Sequence, residues 1–174
     1  MTTPLPQGIG FSGDTFITTW FQLNVETINL PFKDFNQSAW DYRYGLGLVG
    51  PVVRRAILNK AVALGIQDVY DLEIAGNYNK IKCGAEQVFY LVDGSEIMAQ
   101  DLRVGMNLRA IAPQVGVWDG YGIGMRGDLA GRPYQVTAHG KARFQEMLYH
   151  CTTVDTDSFS LASGVVVKAM PALT

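Results

Sequence analysis

The stretch Val92-Asp93-Gly94-Ser95-Glu96-Ile97-Met98-Ala99-Gln100-Asp101-Leu102-Arg103-Val104-Gly105-Met106 decides how this chain is read. Asp-Gly beside apolar residues signals a hairpin, because the turn needs backbone angles that glycine adopts without steric cost. A short strand follows, then a polar turn in which Gly105 takes a conformation that other residues avoid. Many β-proteins contain such a unit, so its weight comes from the segments around it.

Those segments are short and rich in Val, Ile, Thr, Phe and Tyr, and turn formers are spread evenly between them, with 19 glycines and 7 prolines. This pattern predicts many short strands rather than a few long helices. Phe16 to Phe21, Val69 to Ile74, Val88 to Val92, Tyr149 to Val154 and Val165 to Val167 are the most strand-like. Residues 52–64 read either way: Pro51 with Val53, Ile57, Ala61 and Leu64 suits an amphipathic helix as well as strand.

With 174 residues the chain has room for one well-buried domain, and 48% apolar with 17% charged residues is the balance of a folded globule. Fourteen basic residues against sixteen acidic ones leave a net charge of −2, which argues against nucleic acid as partner. Two cysteines, Cys83 and Cys151, and two histidines, His139 and His150, form no CxxC pair. They predict neither a zinc site nor a disulfide-stapled fold, and no cofactor is expected. The opening Met1-Thr2-Thr3-Pro4-Leu5-Pro6-Gln7-Gly8 has no basic start and no apolar core, so it does not read as a signal peptide. No apolar run approaches bilayer-spanning length, so no membrane partner is expected. The expected setting is the reducing cytoplasm where the chain is made.

A faint internal repeat sets Val69-Tyr70-Asp71-Leu72-Glu73-Ile74 beside Leu148-Tyr149-His150-Cys151-Thr152-Thr153, which divides one domain, 1–174, into halves of about 8–83 and 84–174. Residues 113–133 stand apart, with Gly116, Gly120, Gly122, Gly124, Gly127 and Gly131 among Trp118, Tyr121 and Met125. The segment reads as a long inserted surface loop, and exposed aromatics of that kind are enriched at interfaces. Trp118, Tyr121 and Met125 are therefore the expected partner-binding residues.

Three blocks surround 92–106 in a fixed order: Gly10-Phe11-Ser12-Gly13-Asp14-Thr15-Phe16-Ile17; Lys80-Ile81-Lys82-Cys83-Gly84-Ala85-Glu86-Gln87-Val88-Phe89-Tyr90; and residues 148–159 with Leu161-Ala162-Ser163-Gly164-Val165-Val166-Val167. Together they resemble the Hint family, which covers hedgehog autoprocessing domains and inteins. The first is similar to the family's Cys-Phe-x-Gly-Asp-Thr, which puts Gly10 at the nucleophile, where a thiol or hydroxyl would have to attack the preceding carbonyl. The second is similar to Thr-Pro-Glu-His-Pro-Phe-Tyr, with Gly84 at the threonine and Gln87 at the histidine. Sliding the frame by one brings Cys83 nearer the threonine and still leaves no histidine. Glutamine hydrogen-bonds but cannot shuttle protons. The third resembles Val-Tyr-Asp-Leu-Thr-Val and Phe-x-Leu-Ala-Asn-Gly-Val-Val-Val; where inteins end in His-Asn this chain has Lys168-Ala169, and alanine cannot cyclise. Nine residues precede Gly10 and five follow Ala169, so splicing would join two short pieces.

The resemblance implies an all-β, pseudo-two-fold Hint-like domain and favours strand for 52–64. It also implies that the fold is kept while self-processing is lost, so that no catalytic, cofactor or metal residues are expected.

Other signals have ordinary readings. His150 and Cys151 are adjacent on a strand, so they should face opposite ways, with the cysteine buried and the histidine outward. His139 reads as a loop histidine, and Cys83 and Cys151 as two reduced core thiols. Gly120-Tyr121-Gly122-Ile123-Gly124 lacks the strand and helix of a phosphate loop. Arg126-Gly127-Asp128 reads as a turn. Asp155 and Asp157 lack a third acidic ligand for calcium.

The expected function is that of a non-catalytic subunit in a larger protein assembly, homo-oligomers included, with a bacteriophage virion (capsid, neck or tail) as the specific setting. The rivals are a residual autoprocessing or thiol hydrolase domain, and a small peptide- or sugar-binding module.

Overall fold

The computed structural model describes residues 5–20, 27–34, 44–49, 52–59, 61–74, 80–110, 134–154, 156–161 and 165–171. The expected contact residues Trp118, Tyr121 and Met125, with the whole 113–133 segment, lie outside the described residues. Among the described residues the regular structure is thirteen strands and two single 3-10 turns. The all-β expectation therefore holds. In chain order the strands are β1 (Phe11–Ser12), β2 (Phe16–Trp20), β3 (Thr27–Pro31), β4 (Tyr44–Val49), β5 (Val52–Ile57), β6 (Val62–Ile74), β7 (Ile81–Cys83), β8 (Val88–Tyr90), β9 (Glu96–Met98), β10 (Asn107–Leu108), β11 (Tyr134–His150), β12 (Ser158–Ser160) and β13 (Val166–Lys168). The described residues of 52–64 thus resolve as strand over 52–57 and 62–64, and the helix alternative falls.

The hairpin read at Asp93-Gly94 joins β8 to β9, with Tyr90 opposite Glu96. Gly94 has φ +89°, and the Asp93 carboxylate accepts from the Ser95 amide at 2.9 Å and from its hydroxyl at 2.6 Å. Ser95 holds that exposed carboxyl below its usual range. Gly105 has φ +96°, the conformation its turn required, and its N–H donates to the Val136 carbonyl at 2.8 Å.

Three sheets surround one core. The first has the order β1-β7-β6-β11-β10, and β1 also pairs with β11, so β1, β7, β6 and β11 close on one another. The second runs β12-β13-β8-β9 and the third β3-β2-β4-β5. The single bridges Ile17↔Leu161, Leu58↔Thr153 and Ala110↔Val165 tie these layers together. Phe11, Phe32, Phe89 and Phe159 are fully buried at the centre, each worth about 1.5–3 kcal/mol of apolar transfer.

Two histidine expectations are corrected. His139 is not in a loop: it lies in β11 opposite Leu72, and its Nε2 is 2.8 Å from the Ala99 carbonyl oxygen. His150 does not face outward: it and Cys151 are both buried. The expected strand 149–154 ends at His150, and the Cys151 N–H turns to donate to His150 Nδ1 at 3.0 Å. Strand alternation therefore no longer governs this pair, and both side chains enter the core.

Candidate functional site

The first and third blocks meet the second at one buried amide. Gln87 precedes β8 and is 1% exposed. Its Oε1 accepts from the Gly10 N–H at 2.9 Å, while its Nε2 donates to the Val88 carbonyl at 3.1 Å and to the Lys168 carbonyl at 3.2 Å. One side chain therefore holds the nitrogen of the Ile9–Gly10 peptide and the oxygen of the Lys168–Ala169 peptide. Every donor and acceptor of the amide that the core hides is used, which burial demands.

His150 lies on the Lys168 side of the same site. With Nδ1 accepting from the Cys151 N–H, the other ring nitrogen carries the proton and is turned to the Lys168 backbone. Burial among Phe11, Phe32 and Phe159 pulls the imidazole pKa down to about 3, against the opposing effect of the Lys168 backbone, so the ring is neutral. The residue that follows Lys168 is Ala169, whose methyl offers no nucleophile.

Glycine at position 10 is dictated by geometry as well as chemistry. Its φ is +106°, and a Cβ there would lie 2.8 Å from the Tyr149 carbonyl oxygen and 3.2 Å from Leu64. At Gly84 a Cβ would lie 2.2 Å from the Gly8 carbonyl oxygen and 2.9 Å from the Ile9 nitrogen. Backbone of the N-terminal segment fills the space that a threonine side chain would need. That segment is gripped in turn: the Gly8 N–H donates to Gln67 Oε1 at 2.7 Å, the Glu86 N–H to the Gly8 carbonyl at 2.7 Å, and the Gly84 N–H to the Gly10 carbonyl at 3.0 Å. Cys83 and Cys151 are free and buried, and burial pushes both thiols up, with the charge of Asp71 adding at Cys83. A protonated thiol is a poor nucleophile.

Superposition supplies the fold context. The chain aligns with the DnaB intein from Synechocystis at a TM-score of 0.67 and 15% identity, covering 93% of this chain and 99% of that one. The DnaB mini-intein variant M86 gives 0.70 and 16%, covering 95% and 96%. The chain has the Hint fold. A bacterial intein-like domain from Clostridium thermocellum also aligns, at 0.61 and 15%, covering 94% and 99%. No family model and no curated protein matches the sequence. The alignments run over nearly the whole chain, as the blocks do, and Gly10, Gln87 and Lys168 converge in space.

Two participants escaped the sequence reading, Gln67 and His150. Gln67, inside β6, carried no expectation at all, and His150, at the end of β11, was expected to face outward. The available signal was Gly65, a glycine within a strand pattern and so a mark of a bulge.

Proposed function

We propose that this Hint-fold chain performs no self-processing and works as a structural subunit of a larger protein assembly, with a bacteriophage virion as its specific setting. The observation that carries the first half is the Gln87 bridge. An amide that spends its oxygen on Gly10 and its nitrogen on Lys168 is a clasp, and it has no proton to give to a leaving nitrogen. Gly10 and Ala169 supply no nucleophile at either junction, and the two thiols are buried and protonated. The assembly half draws on exposed apolar side chains that neighbour one another, Ile66 at 66% and its ladder partner Met147 at 38%. In this reading Trp118, Tyr121 and Met125 are the contact residues.

Intact-mass spectrometry after long incubation with dithiothreitol or hydroxylamine tests the first half. The expected mass is that of the full chain, and a fragment ending at Ile9 or Ala169 sinks the reading. Size-exclusion chromatography with light scattering tests the second: a species larger than a monomer is expected, weakened by Trp118→Ala.

A further inference from the structure

We propose that Gln87 is a latch that couples the seating of an N-terminal arm, Leu5–Ile9, to the seating of the C-terminal strand β13. The arm lies in a groove that reads its backbone. Gly8 is held on both faces, by Gln67 Oε1 at its nitrogen and the Glu86 N–H at its oxygen, each at 2.7 Å. Gly10 is held by Gln87 Oε1 at 2.9 Å and the Gly84 N–H at 3.0 Å. Apolar burial under this grip is only partial: Leu5 is 42% exposed, and Pro6 and Ile9 are half-buried. Segments fixed mainly by polar contacts open at lower free energy than the core does. Two glycines at positive φ, Gly8 at +83° and Gly10 at +106°, put conformationally permissive residues at both ends of the gripped stretch.

The consequence of opening runs through one side chain. When the arm leaves, the Gly10 N–H no longer satisfies Gln87 Oε1, which then stands unpaired in the core. The amide regains a partner by turning, and turning takes its Nε2 away from the Lys168 carbonyl. Strand β13 is three residues long and meets β8 through a single pair, Val167↔Phe89; its other holds on that side are the Val166 N–H to the Arg109 carbonyl and the exposed Lys168–Glu96 ion pair, so the buried Gln87–Lys168 bond is one of few contacts that seat it there. By linkage the coupling is reciprocal: a partner that draws out the arm loosens β13, and one that clamps β13 tightens the arm. The domain can thus report at β13 what is bound at residues 5–9.

Hydrogen exchange on the full-length protein tests this. In Gly84→Ala the new methyl meets Gly8 and Ile9 backbone at 2.2–2.9 Å, which displaces the arm. Exchange should rise at residues 8–11 and, by about tenfold or more, at 166–170, while the β3-β2-β4-β5 sheet stays protected. In a Gln87→Met background the same substitution should no longer reach 166–170. Exposed arm amides with unchanged exchange at 166–170 would overturn the latch. Gly8→Val releases the arm from its own side, since a β-branched residue is strained at φ +83°, and must give the same pattern. Loss of protection across the whole domain in both variants would also overturn it, because the arm would then belong to the cooperative core.

Discussion

His150 shows what a single buried residue can do to the protein as a whole. Its ring packs edge-on against Phe11 at 5.5 Å and Phe159 at 5.7 Å, and desolvation holds its pKa near 3. An unfolded chain protonates the same ring near 6.5, so between those values the unfolded state binds the extra proton. Stability attached to this group is complete above pH 6.5 and is lost as pH falls towards 3. From pH 7.5 to 5 the loss is about 2 kcal/mol. Urea denaturation at the two pH values checks this: His150→Phe should be less stable at pH 7.5 but should lack that part of the decline, and an equal decline in both proteins would refute the assignment. Residue by residue the sequence was legible where a block supplied a frame, as at Gly10, Gln87 and Lys168. It was not legible at His150, because a polar residue at a strand end carries no local sign that three phenylalanines from distant segments will enclose it.

Elements show why alternation misled. In β6, Leu64 is buried, then Gln67, then Val69, so two residues separate the first pair of inward positions and one separates the next. Leu148 pairs with Gly65 and Tyr149 with Ala63, which leaves Leu64 as the extra residue of a bulge. Gly65, at φ +102°, absorbs it. The bulge turns Gln67 inward onto Gly8 and leaves Ile66 66% exposed, the reverse of a period-two reading. The glycines of other elements can be sorted by the same reasoning. Gly140, in β11 opposite Asp71, has no positive φ, and a Cβ there meets nothing within 4 Å. Gly140→Ala should therefore stabilise by about 0.4–1 kcal/mol through the unfolded chain. Gly105 has equal room but φ +96°, so Gly105→Ala should cost about 1–2 kcal/mol. Thermal or urea unfolding separates the pair, and a destabilised Gly140→Ala would mean that β11 needs glycine for its shape there. Strand type was legible across most of the chain, since β-branched and aromatic runs between glycines leave few alternatives. Strand ends and bulges were not, because pairing partners decide them.

At the scale of the molecule, β6 and β11 form a ladder with its own local symmetry. Glu146 pairs with Gln67; the offset that carries Tyr70 to Tyr149 also carries Ile66 to Gln145 and Asp68 to Met147, and both Met147↔Ile66 and Gln145↔Asp68 are pairs of the ladder. A two-fold axis therefore passes through the Gln67–Glu146 pair, and beyond it the register slips on both sides. β1 then closes the ring: Phe11 pairs with Cys83 of β7 and Tyr149 of β11, and Cys83 pairs with Tyr70 of β6. Positions far apart in the chain thus meet at one residue. The Phe11 side chain stacks on Phe32 at 5.5 Å and meets Phe89 edge-on at 6.3 Å, so it belongs to the first sheet by backbone while its ring packs on a residue of the second. Such closure gives little reward until several distant pairings exist, which predicts slow, cooperative folding. Phe11→Ala should cost about 3–5 kcal/mol. It should shift unfolding followed by far-ultraviolet circular dichroism and by aromatic fluorescence to the same lower midpoint. Separate midpoints would mean that the sheets fold as independent units, and that the central phenylalanines do not unite them.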